Sequence, residues 1–440
     1  MKISSIISTI TILTILSGCA NKVVEKTEIK NDTVKYIEEK TILKVEKPLK
    51  SLSKKEIEFL EILKTDKYAS LCGSKDTYLD ILDLENSEDK SKKIEELFYE
   101  YTKNLSNSCI NQSDFKKKLK QKKYKDANQD YEVYNVNINK EQLLKKYHSK
   151  DSIKDILEIY TPKHPQFFKL IEKLNDSTLS QEKYNKLRLN IERLKLLKYS
   201  NSHNFIQLNI PSHDFTFYEN SKKTKSFGTV VGDVNTQTPI LSSKLSYFIV
   251  NPTWNIPDSI AKKTIIPRAL KDKNYLKKKN IVIRKNYKLS SKKFKFEDIK
   301  WEKYLKKNIK YIPYKFIQLP SNTNGMGRIK FMFSNDYAVY MHDTIGTWRF
   351  KSKKSKIRFV SHGCVRLEHP VSLMKYLSTN YTKHSYKKVR KIYDSNKTDS
   401  ISLNKKLPIH LTYQTVQINN GKLSFYNDIY GYDKIQKLNF

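Results

Sequence analysis

Residues Ser361–His362–Gly363–Cys364–Val365–Arg366 decide the reading of this chain. The short stretch Arg358–Phe359–Val360 runs into them, and Pro370 follows with Val371, Met374 and Leu377 at helical spacing. Proline suits a first helical position, so the pattern predicts a strand, a tight turn and a helix. Cys364 then sits on a turn that lifts its side chain clear of the fold. Gly363 gives a substrate backbone room to approach, and the N–H groups of Gly363 and Cys364 are expected to face a developing oxyanion. Arg366 and two imidazoles nearby are expected to pull the thiol below its ordinary pKa of about 8.5.

His342 closes the alternating stretch Ala338–Val339–Tyr340–Met341–His342, 22 residues before Cys364. Ile329 to Phe333 alternates as well, and Ser334–Asn335–Asp336 between the two runs predicts a hairpin. A thiol with a spatially adjacent imidazole is the minimum activated nucleophile. The imidazole needs an orienting partner on its other nitrogen, which either the carbonyl or the side chain of Asp343 can supply.

The chain has 440 residues, and 84 Lys+Arg against 46 Asp+Glu leave a formal charge of +38. With 38% hydrophobic residues it can bury two or three cores, which excludes a small disulfide scaffold and a disordered polymer. The charge is either compositional habit or a device for an anionic neighbourhood. The Lys-rich tracts lack interleaved stacking aromatics and glycine, so no nucleic-acid partner is expected. After the first 20 residues no apolar run is long enough to span a bilayer. Lys2 precedes the apolar stretch Ile3 to Leu16, and Leu16–Ser17–Gly18–Cys19 follows. This resembles a bacterial lipoprotein signal, which implies residues 1–18 as the signal peptide and Cys19 as the acylated first mature residue. Ala20 in place of Asp implies a periplasmic protein anchored to the outer membrane, if the cell is Gram-negative. Cys72 and Cys109 pair outside the cytoplasm or stay as two separate buried thiols. Cys364 is left over.

Residues 19–52 are polar and read as a tether. From 53 to 200 the spacing is helical, as in Ile94, Leu97, Phe98 and Tyr101 or Leu187, Ile191 and Leu194. Eight of the ten glycines fall at or after Gly228, where strand patterns also begin. Asn204 to Ile210 and Ser246 to Val250 read as strands, and Asn419–Asn420–Gly421 marks a late hairpin. A Lys-rich segment at 256–312, with Trp301, Tyr304 and Leu305 at helical spacing, reads as an inserted subdomain. The fold class is α+β: a helical scaffold at 53–200, then a mostly β domain at 203–435.

Val339–Tyr340–Met341–His342–Asp343–Thr344 followed by Ser361 to Arg366 resembles the catalytic signature of the L,D-transpeptidase (YkuD) family. Leu208–Asn209–Ile210–Pro211, Asn251 to Pro257, Asn324 to Phe331 and Asp428–Ile429–Tyr430–Gly431 are similar to the large periplasmic branch with a helical scaffold. Asn190–Ile191–Glu192–Arg193 resembles the helix that precedes its catalytic domain. That branch usually has a peptidoglycan-binding module before this helix, and only some fifteen residues separate Leu174 from it here.

The resemblance implies a Cys364 nucleophile, a His342 base and His362 as a polarising or positioning group. Arg366 would orient stem carboxylates or the loop, and Tyr340, Ser361 and Trp348 would contact substrate. The substrate would be a peptidoglycan stem peptide, the product a 3–3 cross-link made through a thioester, and 256–312 a lid. Wall-synthesis proteins would dock on the scaffold. No cofactor or metal is implied. The same residues also suit an L,D-carboxypeptidase, and an anchored wall-binding protein without activity is the alternative from another class.

Overall fold

The structure is a computed structural model. It describes residues 52–438 apart from 67–69, 74, 85–87, 121–130, 199–201, 310 and 353–354, together with the backbone of 22–23, 26–31, 34–39 and 42–43. The expected signal peptide at 1–18 and the expected acylation site Cys19 lie outside the described residues. Within the predicted tether, Lys26–Asn31 pairs antiparallel with Val34–Glu39, and Lys22–Val23 with Ile42–Leu43.

The first half is helical, as its apolar spacing demands. The helix Lys54–Thr65 opens with a Ser53–Glu56 capping box, and Glu88–Ser106 forms the longest helix of the region. Their apolar faces meet around Phe59, Leu63, Ile94, Phe98 and Tyr101, all buried. Cys72 and Cys109 are bridged, with Cα atoms 5.3 Å apart, which settles the choice the sequence left open.

The second half is built on a nine-stranded sheet. Its order is Phe359–Ser361, Lys222–Gly232, Val365–Leu367, Met341–His342, Ile329–Phe333, Leu241–Val250, Asp399–Thr412, Phe205–Asn209 and Asp214–Glu219. The long strand Lys222–Gly232 also pairs with Asp214–Glu219 along its first half, so the ladder closes into a ring. Inward residues such as Phe215, Phe248, Phe331, Met341 and Val365 fill the core, against the helix Pro370–Asn380.

Three boundaries differ from the sequence reading. Phe115 and Leu119 belong to the sheet's core, while Val416 of the late hairpin (Val416–Asn419 with Lys422–Phe425) joins the helical core. The cores interlock because both chain segments return across the junction. The insertion is wider than 256–312: its own sheet runs Lys293–Phe294, Ile281–Arg284, Lys315–Gln318 and Trp254–Ile256, around a buried Trp301. Alternation predicted a strand from Ala338 to His342, but only Met341–His342 is extended. The side chain of Asn335 accepts from the Val339 N–H at 3.0 Å and donates to its carbonyl at 2.7 Å, and Ala338 takes φ 53°, which curls the first half into the turn.

The Asn190–Glu192–Arg193 stretch braces the two halves. It lies in the helix Gln181–Leu194, and all three side chains are buried. Arg193 pairs with Asp433 at 2.7 Å and donates to Gln436 at 2.7 Å. Glu192 faces the scaffold, where it pairs with Lys195 at 2.8 Å and accepts the Cys109 N–H at 2.6 Å.

Candidate active site

Strand register builds the site. Met341–His342 and Val365–Leu367 run parallel, with Met341 beside Val365 and His342 beside Arg366, and the Val365 N–H donates to the Tyr340 carbonyl at 3.0 Å. Met341 and Val365 are buried in the core. Period-two alternation therefore turns Tyr340, His342, Cys364 and Arg366 to the opposite face. There they line a cleft of about 490 Å³ with His362, Ser361, Thr344, Trp348 and Arg349, and with Trp254, Pro257 and Ile260 from the insertion. Cys364, His342, His362, Arg366, Tyr340, Ser361 and Trp348 thus line one cleft.

The turn differs from the expected strand–turn–helix. A short strand, Val365–Leu367, comes between Cys364 and the helix at Pro370, because residues 365–367 complete the sheet. Gly363 holds φ +99°, a backbone that side-chain-bearing residues rarely adopt. The turn's carbonyls are occupied. Ser361 O accepts from the Asp233 N–H and the Thr236 hydroxyl, Gly363 O accepts from Thr238 Oγ1 at 2.8 Å, and Cys364 O accepts from Ser361 Oγ at 2.6 Å. The N–H groups of Gly363 and Cys364 have no acceptor among the described residues. Ser361 spends its hydroxyl on clamping the turn, which is a different task from the expected substrate contact.

His342 is 2% exposed, and its Nδ1 lies 2.5 Å from the Asp343 carbonyl oxygen. That contact assigns the proton of the neutral ring to Nδ1 and makes Nε2 the lone-pair nitrogen. Of the two partners the sequence offered, the carbonyl does the orienting. The Asp343 carboxylate is turned away, accepting the N–H groups of Arg328 at 2.8 Å and Thr344 at 2.7 Å. Gly327, at φ +64°, makes room for it: a Cβ there would stand 2.4 Å from Asp343. Gly325 does the same for Trp254, whose ring would meet a Cβ at 2.8 Å. The Asn324–Gly327 stretch thus sets both the orienting loop and the root of the insertion.

The electrostatics reverse one expectation. Burial pushes the Cys364 thiol up, not down, and outweighs the Tyr340 backbone N–H, the Lys330 charge, the Tyr340 hydroxyl and the Arg366 charge. Burial, with help from Arg366, drives His342 down to about 3 against the Asp343 and Met326 carbonyls. His342 is therefore a neutral imidazole that adds no positive charge to lower the thiol. Tyr340 is pushed up by burial, then by the nearby sulfur and its hydrogen bond to it.

Lys330 was missed by the sequence reading. It sits opposite His342 on Ile329–Phe333, with Nζ 3.6 Å from the Tyr340 ring centroid. Burial lowers its pKa, and the Cys364 charge works against that. The signal was present: in an alternating strand, Lys330 lies on the face opposite the core. Arg349 was missed as well, since nothing in its local sequence ties it to the cleft.

Residues 203–390 match the family model for YkuD, the L,D-transpeptidase catalytic domain. This segment is similar to the YkuD catalytic domain. A curated protein of Haemophilus influenzae named "Putative L,D-transpeptidase" is 31% identical over 251 residues, 57% of this chain and 48% of that one. The chain therefore spans about half the length of that relative. Among solved structures, the L,D-transpeptidase from Mycobacterium smegmatis is 14% identical with a TM-score of 0.21, over 48% of this chain and 58% of that one. The Ldtfm–avibactam carbamoyl enzyme is 9% identical with a TM-score of 0.22, over 48% of this chain and 49% of that one. No helix among the described residues is long and apolar enough to cross a membrane.

Proposed function

We propose that the YkuD domain is an active peptidoglycan L,D-transpeptidase with Cys364 as its nucleophile. The observation that carries the reading is the alternation that puts Cys364, His342, Tyr340 and Arg366 on one face of two paired strands, above one cleft. His342 Nε2 takes the thiol proton as sulfur attacks the carbonyl between the L-centre of meso-diaminopimelate and D-Ala in a tetrapeptide stem. The free N–H groups of Gly363 and Cys364 receive the oxyanion. The C–N bond breaks, the imidazolium returns its proton to the leaving D-Ala amine, and a thioester remains. The side-chain amine of a second stem then attacks the thioester. Its proton passes through His342 to the departing sulfur, which gives a 3–3 cross-link and free thiol.

One amide is broken and one is made, so no nucleotide is consumed. The insertion, which lends Trp254, Pro257 and Ile260 to the cleft, acts as a lid that keeps water from the thioester. His362, exposed at the cleft edge, positions the acceptor. A lipid anchor at Cys19 would hold the domain beside its polymer in the periplasm, and the helical half would dock wall-synthesis proteins.

The test incubates purified protein, and a Cys364→Ala form, with disaccharide tetrapeptide and resolves the products by mass. Cross-linked dimer made only by the native protein is the expected result. Tripeptide monomer alone would make the domain an L,D-carboxypeptidase. No change with either form would leave an inactive wall-binding protein.

A further inference from the structure

Two guanidinium groups in the cleft lack a counter-charge. Arg366 stands beside His342 in the register, and Arg349 lies on the short helix Trp348–Lys351; both line the cleft with Cys364. Arg349 donates from Nη1 to the Ile357 carbonyl at 2.9 Å and packs on Trp348, 4.4 Å from the ring. The Nε of Arg366 is buried and has no hydrogen-bond partner. Among the described residues neither arginine forms an ion pair, and no Asp or Glu lines the cleft. Burial, and then the charge of Arg349, hold Arg366 below its ordinary range.

Two like charges half-removed from water are unfavourable unless an anion joins them. A planar guanidinium suits a carboxylate better than any other side chain does, because its N–H fork matches the two oxygens. We propose that Arg349 and Arg366 form a carboxylate subsite that holds the substrate by a free carboxylate near the scissile bond. The proposal rests on the transpeptidase reading and adds a specificity-determining residue to it, Arg349, which reads a free carboxylate beside the attacked carbonyl. Arg349 is the part of the subsite with no counterpart among the residues singled out from the sequence. On a tetrapeptide stem the carboxylate is either the terminal one of D-Ala or the one on the diaminopimelate side chain.

The test compares alkylation of Cys364 by iodoacetate and by iodoacetamide, followed by intact mass. Both reagents need the thiolate, so their rate ratio cancels any change in thiol pKa and reads the charge of the cleft. With glutathione as reference, the native protein should favour iodoacetate by about tenfold, an attraction of the size expected near a protein surface. Arg349→Gln should lose most of that preference, and Arg349→Lys, which keeps the charge, should retain it. A native ratio equal to that of glutathione, or an unchanged ratio in Arg349→Gln, overturns the proposal. A tetrapeptide amidated at its terminus and one amidated on diaminopimelate then identify the source: the amide that raises KM in the native protein, but not in Arg349→Gln, marks the bound carboxylate. If both amides leave KM unchanged, the subsite does not serve the stem and the proposal fails. If the ratios hold while no cross-link forms, the transpeptidase reading fails and the anion subsite stands.

Discussion

At Cys364 two influences compete and burial wins. Lys330, Arg366 and two donors from Tyr340 favour the thiolate, yet the thiol stays above its ordinary value, with His342 neutral at about 3. The resting pair is uncharged, so proton transfer must accompany attack. Iodoacetamide alkylation of Cys364 should therefore climb with pH through 8 with no plateau below 9; a rate already flat between pH 5 and 7 would reveal an ion pair and refute this account. Lys330→Met removes a stabilising charge and should slow that alkylation at pH 8 several-fold. Gly327 gives a second prediction. Alanine there must hold φ +64° and would press a methyl to within 2.4 Å of Asp343, the residue whose carbonyl aims His342. Gly327→Ala should cost roughly 1–3 kcal/mol in denaturant unfolding and slow dimer formation well beyond what that loss explains. Native activity in the variant would show that the loop does not set the base.

At the scale of elements, the brace between scaffold and catalytic domain is the helix Gln181–Leu194. Arg193 is 1% exposed and its partner Asp433 is 15% exposed by side chain, so truncating the arginine leaves that half-buried carboxylate with Lys186, at 3.3 Å, as its remaining cation. Arg193→Ala is expected to cost about 3 kcal/mol, the low end for a broken buried pair because Lys186 still faces the carboxylate, measured as a fall in the denaturant midpoint. Arg193→Met, together with Asp433→Leu, removes both charges and should recover much of that loss. Equal losses in the single and double variants would mean that the pair is not coupled. The insertion works through an element as well. Because its sheet is rooted on Trp254–Ile256 and Lys315–Gln318, it hangs from two strands that lead straight into the catalytic sheet, and Gly325 is the contact that seats Trp254.

Across the whole molecule, four imidazoles are buried in the neutral form. His164 is driven to about 4, and His213, His342 and His410 to about 3, in each case chiefly by burial. In the unfolded chain they take up protons near 6.5. Between those limits the unfolded state binds more protons, so stability rises with pH. The full value holds above about 6.5 and drains away as pH falls toward 4, by roughly 2 kcal/mol for each imidazole at pH 5. Asp214 and Asp343, whose carboxyls burial pushes up, act in the opposite sense and only within the carboxylate range. The denaturant midpoint should therefore be lower at pH 5 than at pH 7, and equal midpoints would count against this burial pattern.

The sequence by itself determined the parts whose causes are local. Alternation at Ile329–Phe333, the Asn420–Gly421 turn and helical spacing from Ile57 to Leu197 each depend on neighbours a few residues away, and each appears where the pattern placed it. It also fixed which side chains share a face, because period-two alternation cannot rotate one residue without rotating all of them. Only the tertiary structure decided what depends on distant partners. The thiol pKa follows desolvation by the assembled cleft, not the charges adjacent in sequence. The choice of the Asp343 carbonyl over its carboxylate depends on Gly327 and Arg328, and Arg349 reaches the cleft through the bend that carries Trp348. The limits of the two cores and of the insertion also depend on strands and helices brought together from far along the chain. Burial and counter-charge are sums over the surrounding volume, and a one-dimensional pattern does not contain them.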